Sequence, residues 1–246
     1  MVILKNDLAK IWGPTMKIGV IIPNVLMTKQ QIEERKSFVM KVANRDTIVS
    51  MFKLGEGPVS IESSGEHEQA GFHIREKIRI LEKEGFEAFI TWCGEDAGLT
   101  SSREVTRVPI IGPFQSSCSI AIMLGHKFSI IAPMVQKAFM ERKVWELGLG
   151  ARLASIRSLG IPVTEVRKDL KKTYSLLEKE CDKAVKKDGA DVIILSCMAL
   201  FGMADRLMEK IKVPIIDPAL AALKVAEMLI SVGLTHSKIS FPFPPK

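Results

Sequence analysis

Short runs of β-branched apolar residues alternate along this chain with longer stretches in which apolar positions recur every three or four residues. The first pattern predicts buried parallel strands, and the second predicts helices that lay one face on a sheet. In the first half, strands are predicted at Lys17–Pro23, Ile48–Leu54 and Phe86–Trp92, with a short one at Ile110 and Ile111. Between them a helical stretch opens over Thr28–Arg35 and a helix runs from Ala70 to Glu84, where Gly85 stops it. A further helix covers Leu99–Val105. The second half repeats the order. Strands are expected at Phe128–Ala132, Val163–Val166, Val192–Ser196 and Pro214–Ile216. Helices are expected at Lys143–Leu159, Leu170–Lys187, Ala204–Lys212 and Ala219–Val232.

The repetition extends to the letters. Residues 83–93 read KEGFEAFITWC and residues 187–197 read KDGADVIILSC, so each copy ends an apolar strand in a cysteine. VPIIGP at Val108–Pro113 returns as VPIIDP at Val213–Pro218, and KIGVIIP from Lys17 is echoed by KFSIIAP from Lys127. The chain is therefore read as two copies of one α/β unit with parallel sheets. Residues 17–115 plus 219–246 are assigned to the first domain and 116–218 to the second. Residues 1–15 have no counterpart in the second copy. They are either an oligomer-contacting arm or sequence ahead of a start at Met16.

Composition narrows the function. With 246 residues and 47% apolar content the chain can bury a sizeable core. The formal charge of +7 raises the question of nucleic acid, but basic residues are interleaved with acids, as in Glu33-Glu34-Arg35-Lys36. The clusters at Arg167–Lys172 and Lys183–Lys187 read likewise as solvated helix faces, and one Tyr with three Trp makes a poor stacking platform. No nucleic-acid partner is expected. No run of 18 apolar residues is present, so no membrane span is expected. Four cysteines without close pairing suit a reducing cytosol, and a cytoplasmic location is expected. Neither GxGxxG nor a GxxxxGK[ST] phosphate loop occurs, and the four histidines are scattered. No nucleotide cofactor or metal is expected.

Cys93 and Cys197 are the candidate chemistry. A lone cysteine at a strand end is usually a small buried hydrophobe, and Cys118 and Cys181 are read that way. A matched pair in an internal repeat is different. In parallel sheets ligands bind outside the carboxyl ends of the strands, where both cysteines fall. A thiol just before a helix sits near free N–H groups, which can lower its pKa from about 8.5 to roughly 3.5–7.5. A thiolate facing a thiol would make a matched base and acid. The backbone amides of Gly94 and Glu95, and of Met198 and Ala199, are candidate donors to a substrate oxyanion.

At these residues the chain resembles the cofactor-independent aspartate/glutamate/hydantoin racemase superfamily, from Lys17 to about Val232. GPVSIES at Gly57–Ser63 is similar to the GPxSIE segment of its hydantoin racemase branch, and Cys93, Asp96 and Gly98 match that branch's C-x-x-D-x-G. VPIIDPALAALKVAEML resembles the stretch after its second cysteine. The resemblance implies two pseudo-symmetric Rossmann-like, flavodoxin-like parallel-sheet domains with the active site in the cleft between them. It implies Cys93 and Cys197 as acid and base, no pyridoxal phosphate or metal, and a homo-oligomer. Asn24 is implied as a substrate contact, and Glu62 as a loop anchor or pocket wall.

Two positions depart from the branch. Ser196-Cys197-Met198-Ala199-Leu200 replaces its G-C-A-G-M, and Gln115 stands where it often has Glu. The expected activity is racemisation at an activated C–H of a small molecule, a 5-substituted hydantoin or related cyclic ureide. The alternatives are an aspartate or glutamate racemase, and an inactive two-lobed ligand-binding protein.

Overall fold

The computed structural model describes residues 15–134 and 136–245. All of the N-terminal extension but Thr15 therefore lies outside the described residues. Among the described residues, eight strands form two four-stranded sheets of parallel strands. The first holds β1 (Met16–Ile22), β2 (Thr47–Lys53), β3 (Ala88–Thr91) and β4 (Ile110–Ile111), in the order β2-β1-β3-β4. The second holds β5 (Phe128–Ala132), β6 (Leu153–Ser158), β7 (Val192–Leu195) and β8 (Ile215–Ile216), in the equivalent order β6-β5-β7-β8. Two pseudo-symmetric flavodoxin-like α/β units are thus observed.

The connecting helices in the first half are α1 (Lys29–Met40), α2 (Ser64–Leu81), α3 (Leu99–Arg103) and α4 (Pro113–Leu124). In the second half they are α5 (Lys137–Glu146), α6 (Leu170–Lys186), α7 (Ala204–Ile211) and α8 (Pro218–Ser231). Their starts follow from local chemistry. Thr28 closes a capping box with Gln31 on α1, and Ser63 caps α2 through the Glu66 amide. Gly85 takes φ 78°, a left-handed conformation that ends the turn after α2 at little steric cost to glycine.

Strand alternation sorts side chains to two faces. On the first sheet, Ile18, Val20 and Ile22 pack against Ala219, Ala222, Leu223 and Ala226 of α8, with Val39 of α1 beside them. Ile21, Phe89 and Ile110 face Ala70, Ile74, Ile78 and Leu81 of α2. On the second sheet, Ile193, Leu195 and Ile215 meet Leu177, Cys181 and Ala184 of α6. Ile130, Val192 and Ile194 meet Phe114, Cys118 and Ala121 of α4 and Met140 and Val144 of α5. The two halves have exchanged helices. α4 follows the last strand of the first sheet yet covers the second, and α8 follows the last strand of the second sheet yet covers the first. Glu227 of α8 fixes that return, accepting from the Asn44 amide and the Thr47 hydroxyl at 2.7 Å each.

One stretch differs from the sequence expectation. Helix was expected across Lys143–Leu159, but α5 ends at Glu146 and Leu153–Ser158 is strand β6. The strand expected at Val163–Val166 is a single 3-10 turn, Val163–Glu165, preceded by Pro162. The cause is position. β6 is an edge strand paired only with β5, so most of its side chains are half-buried and it lacks a continuous apolar run. Arg157 on β6 holds it to α6 through Glu180 at 2.9 Å and to Asp188 at 2.6 Å. Among the described residues, no helix is long and apolar enough to cross a membrane.

Candidate active site

A cavity of about 290 Å³ opens where the carboxyl ends of the two sheets meet. Each sheet contributes the residues that follow its two central strands. From the first come Pro23 and Asn24 after β1, and Trp92, Cys93, Gly94 and Glu95 after β3. From the second come Pro133 and Met134 after β5, and Ser196, Cys197, Met198 and Ala199 after β7. The two cysteines predicted from the repeat thus line one space, from opposite sheets.

Gly94 sets how closely the two cysteine loops approach. A Cβ there would stand 2.7 Å from the Ser196 carbonyl oxygen and 2.8 Å from Cα of Cys197, closer than real atoms pack. The Ser196 hydroxyl donates back to the Gly94 carbonyl at 2.7 Å. The cysteine loops therefore touch backbone to backbone. The absence of a side chain at 94 is a steric requirement for their juxtaposition.

Cys93 is buried, 6% exposed, and Cys197 is half-buried. Burial pushes both thiols up, each to about 12. The nearby Glu95 carboxylate acts in the same direction on both. The amides of Ala97 and Glu95 oppose this at Cys93, and at Cys197 the Ala199 amide does so, donating to Sγ at 3.4 Å. The sequence had placed each thiol in the field of a helix start and expected a lowered pKa. The structure reverses that direction because burial outweighs the few local amides, and the helices begin too late to oppose it. α3 starts six residues after Cys93, and Cys197 is followed by a lone 3-10 turn, Met198–Leu200, with α7 starting at Ala204.

Of the four amides named as donors, those of Glu95 and Ala199 are turned to the thiols. Those of Gly94 and Met198 have no acceptor among the described residues. Asn24 lines the cavity, but its side chain braces the surrounding loops, donating to the Val59 carbonyl and accepting from the Leu26 amide at 2.9 Å. Glu62 bridges the halves, accepting from the Val163 amide at 3.2 Å. The Glu95 carboxyl is half-buried in the cavity wall. Burial raises it to about 7 against the pull of Lys143.

The C-x-x-D-x-G residues have structural work. Asp96, at φ 55°, accepts from the Phe114 and Gln115 amides at 2.8 Å each and so caps α4. Gly98, at φ 69°, lies against Gly71 of α2. Gln115 is outside the cavity and accepts from Arg103 at 2.6 Å. In the second copy Asp217 caps α8 through the Ala219 amide at 2.9 Å and holds the Gly202 amide at 2.7 Å. That bond steadies the altered segment after Cys197.

Arg35 and Arg167 also line the cavity, beside the Cys197 loop. The sequence reading placed both on solvated faces, yet Arg35 is 6% exposed. Charge alternation around Arg35 conceals its burial, so only the three-dimensional arrangement reveals it. Among the described residues no group of three or more His, Cys, Asp and Glu is placed to hold a metal ion.

The Asp/Glu/Hydantoin racemase family matches residues 18–226. A hydantoin racemase of Pseudomonas sp. (strain NS671) is 34% identical over 94% of this chain and 93% of its own. One from Rhizobium meliloti is 31% identical over 92% and 93%. Among solved structures, the allantoin racemase from Klebsiella pneumoniae superposes with a TM-score of 0.88 at 26% identity, covering 94% of both chains.

Proposed function

Because this chain belongs to the Asp/Glu/hydantoin racemase family and is an isomerase, we propose that it racemises a 5-substituted hydantoin or related cyclic ureide, with Cys93 and Cys197 as the paired base and acid. One observation carries this reading. Two cysteines at equivalent strand ends of a repeat line one cavity, with Gly94 packed against Cys197.

The chemistry follows from that arrangement. One cysteine, as thiolate, takes the proton from C5. The C–H bond breaks, an S–H bond forms, and the electron pair passes into the neighbouring carbonyl as an enolate. The opposing thiol then delivers its proton to the other face of C5 and is left as thiolate. Protons and charge balance, and the two cysteines have exchanged roles for the reverse reaction. The unengaged amides of Gly94 and Met198 are suited to receive the developing oxyanion. No external electron acceptor enters, because the carbonyl already acidifies C5–H.

Hydantoin and allantoin racemases among the relatives support a ring substrate. Aspartate and glutamate form the second reading, because two arginines line the cavity. Polarimetry on single enantiomers of 5-alkyl hydantoins, allantoin, aspartate and glutamate separates the two. The wild type is expected to abolish the rotation of a ring compound. Cys93→Ala and Cys197→Ala are each expected to slow it by about a thousandfold, the scale of a lost general acid or base. Full activity in either variant would end the two-thiol assignment.

A further inference from the structure

At one end of the cavity a buried and a half-buried cation form no ion pair with an acid among the described residues. Arg35 projects from α1 and Arg167 from the segment between Val163–Glu165 and α6. Their guanidinium carbons lie 4.9 Å and 4.0 Å from the centroid of the Phe201 ring. Neutral oxygens hold them. Arg35 Nη1 donates to the Gln31 carbonyl at 2.7 Å, and Arg167 Nη1 donates to the carbonyls of Ala199 at 3.2 Å and Phe201 at 3.4 Å. Arg35 Nε is buried with no hydrogen-bond partner among the described residues. Arg157, by contrast, is bonded to two carboxylates, whereas neither cavity arginine forms an ion pair among the described residues. Glu34, the acid that acts on both, is exposed and acts only through space.

Bringing two like charges together out of water is costly unless a counter-charge completes the arrangement. Planar guanidiniums match a carboxylate with paired N–H donors. We infer that Arg35 and Arg167 form a receptor for a carboxylate carried on the substrate's side chain, so that the preferred substrates are hydantoins with an acidic 5-substituent such as carboxymethyl or carboxyethyl. This inference rests on the racemase reading of the cavity for the ring. The carboxylate receptor itself rests on the arginines.

Calorimetric titration tests it with racemic ligands, which undergo no net reaction. Racemic 5-(2-carboxyethyl)hydantoin is compared with its neutral isostere, 5-(2-carbamoylethyl)hydantoin, and with glutamate. The wild type is expected to bind the acid at least about tenfold more tightly than the amide, as for a charged hydrogen-bond pair. In Arg167→Gln that ratio is expected to fall towards one, and Arg167→Lys should restore part of it. Arg167 is half-buried, so it remains informative if Arg35→Gln fails to fold. Circular dichroism verifies each variant.

Equal affinity for acid and amide in the wild type would overturn the receptor, as would an unchanged ratio in Arg167→Gln. Tighter, Arg167-dependent binding of glutamate would overturn the ring as the carrier of the carboxylate. Hydrogen exchange at C5 in deuterium oxide, run on the same ligands, separates the two claims. Exchange without an acid preference removes the receptor and keeps the racemase. An acid preference without exchange on any ring compound does the reverse.

Discussion

The two cysteines occupy equivalent positions but different surroundings, and their reactivity follows from burial. With burial pushing both thiols up to about 12, both are overwhelmingly protonated at pH 7. For an acid whose pKa is raised, the protonated form persists to higher pH, so reactivity lost at neutral pH returns only as pH rises. Iodoacetamide labelling followed by mass spectrometry is expected to be slow at pH 6 and to accelerate about tenfold per pH unit up to pH 10. Cys197, half-buried, should label ahead of Cys93, while Cys118 and Cys181, sealed in apolar clusters, should not label. A plateau below pH 8 would contradict this electrostatic account. The position of the cysteines was legible because it is written in local sequence twice. Their electrostatics were not, because burial and the Glu95 carboxyl come from the fold. Arg35 teaches the same lesson. Acidic neighbours in sequence mark a solvated face only when the helix presents that face to water.

At the scale of elements, the connections between strands and helices hold the cavity in shape. Asp96 follows the first cysteine by three residues and caps α4, the helix that covers the second sheet. Asp96→Ala leaves two helix-start amides without their acceptor. It is expected to destabilise the protein by about 1–2 kcal/mol in urea denaturation. A change within error would show that water replaces the carboxylate. The apolar strands β1, β5 and β7 were readable as uninterrupted runs, because central strands are buried on both faces. β6 was not, since Ala, Ser and Arg at a sheet edge carry no such run and read equally well as helix. Helix Pro113–Leu124 had no expectation at all. Its polar start, PFQSSC, is buried rather than amphipathic in appearance, with Ser116 and Ser117 both inside.

For the whole molecule, the repeat explains why two thiols line one cavity from opposite sheets. We propose the division into residues 17–115 with 219–246, and 116–218. What supports it is the return of α8 to the first sheet through Ala219, Ala222, Leu223, Ala226 and the Glu227 clasp. The crossing of α4 and α8 ties the halves together, and the contact of Gly94 with Cys197 closes the cleft at its base. The repeat was visible in the letters. The return of Ala219–Val232 to the first half was part of the expected division, whereas the crossing of Pro113–Leu124 to the second sheet was not, because no helix was expected there. In the proposed two-thiol mechanism a proton leaves one face of the substrate and a different proton arrives at the other. The direct measurement is racemisation of a single-enantiomer hydantoin in deuterium oxide, stopped early, with the enantiomers separated and C5 read by proton NMR. Two opposed thiols predict that the newly formed enantiomer carries deuterium while the remaining starting enantiomer keeps its hydrogen. A product that retains the original hydrogen, or starting material deuterated as fast as product forms, would show a single base and rule out the two-thiol mechanism.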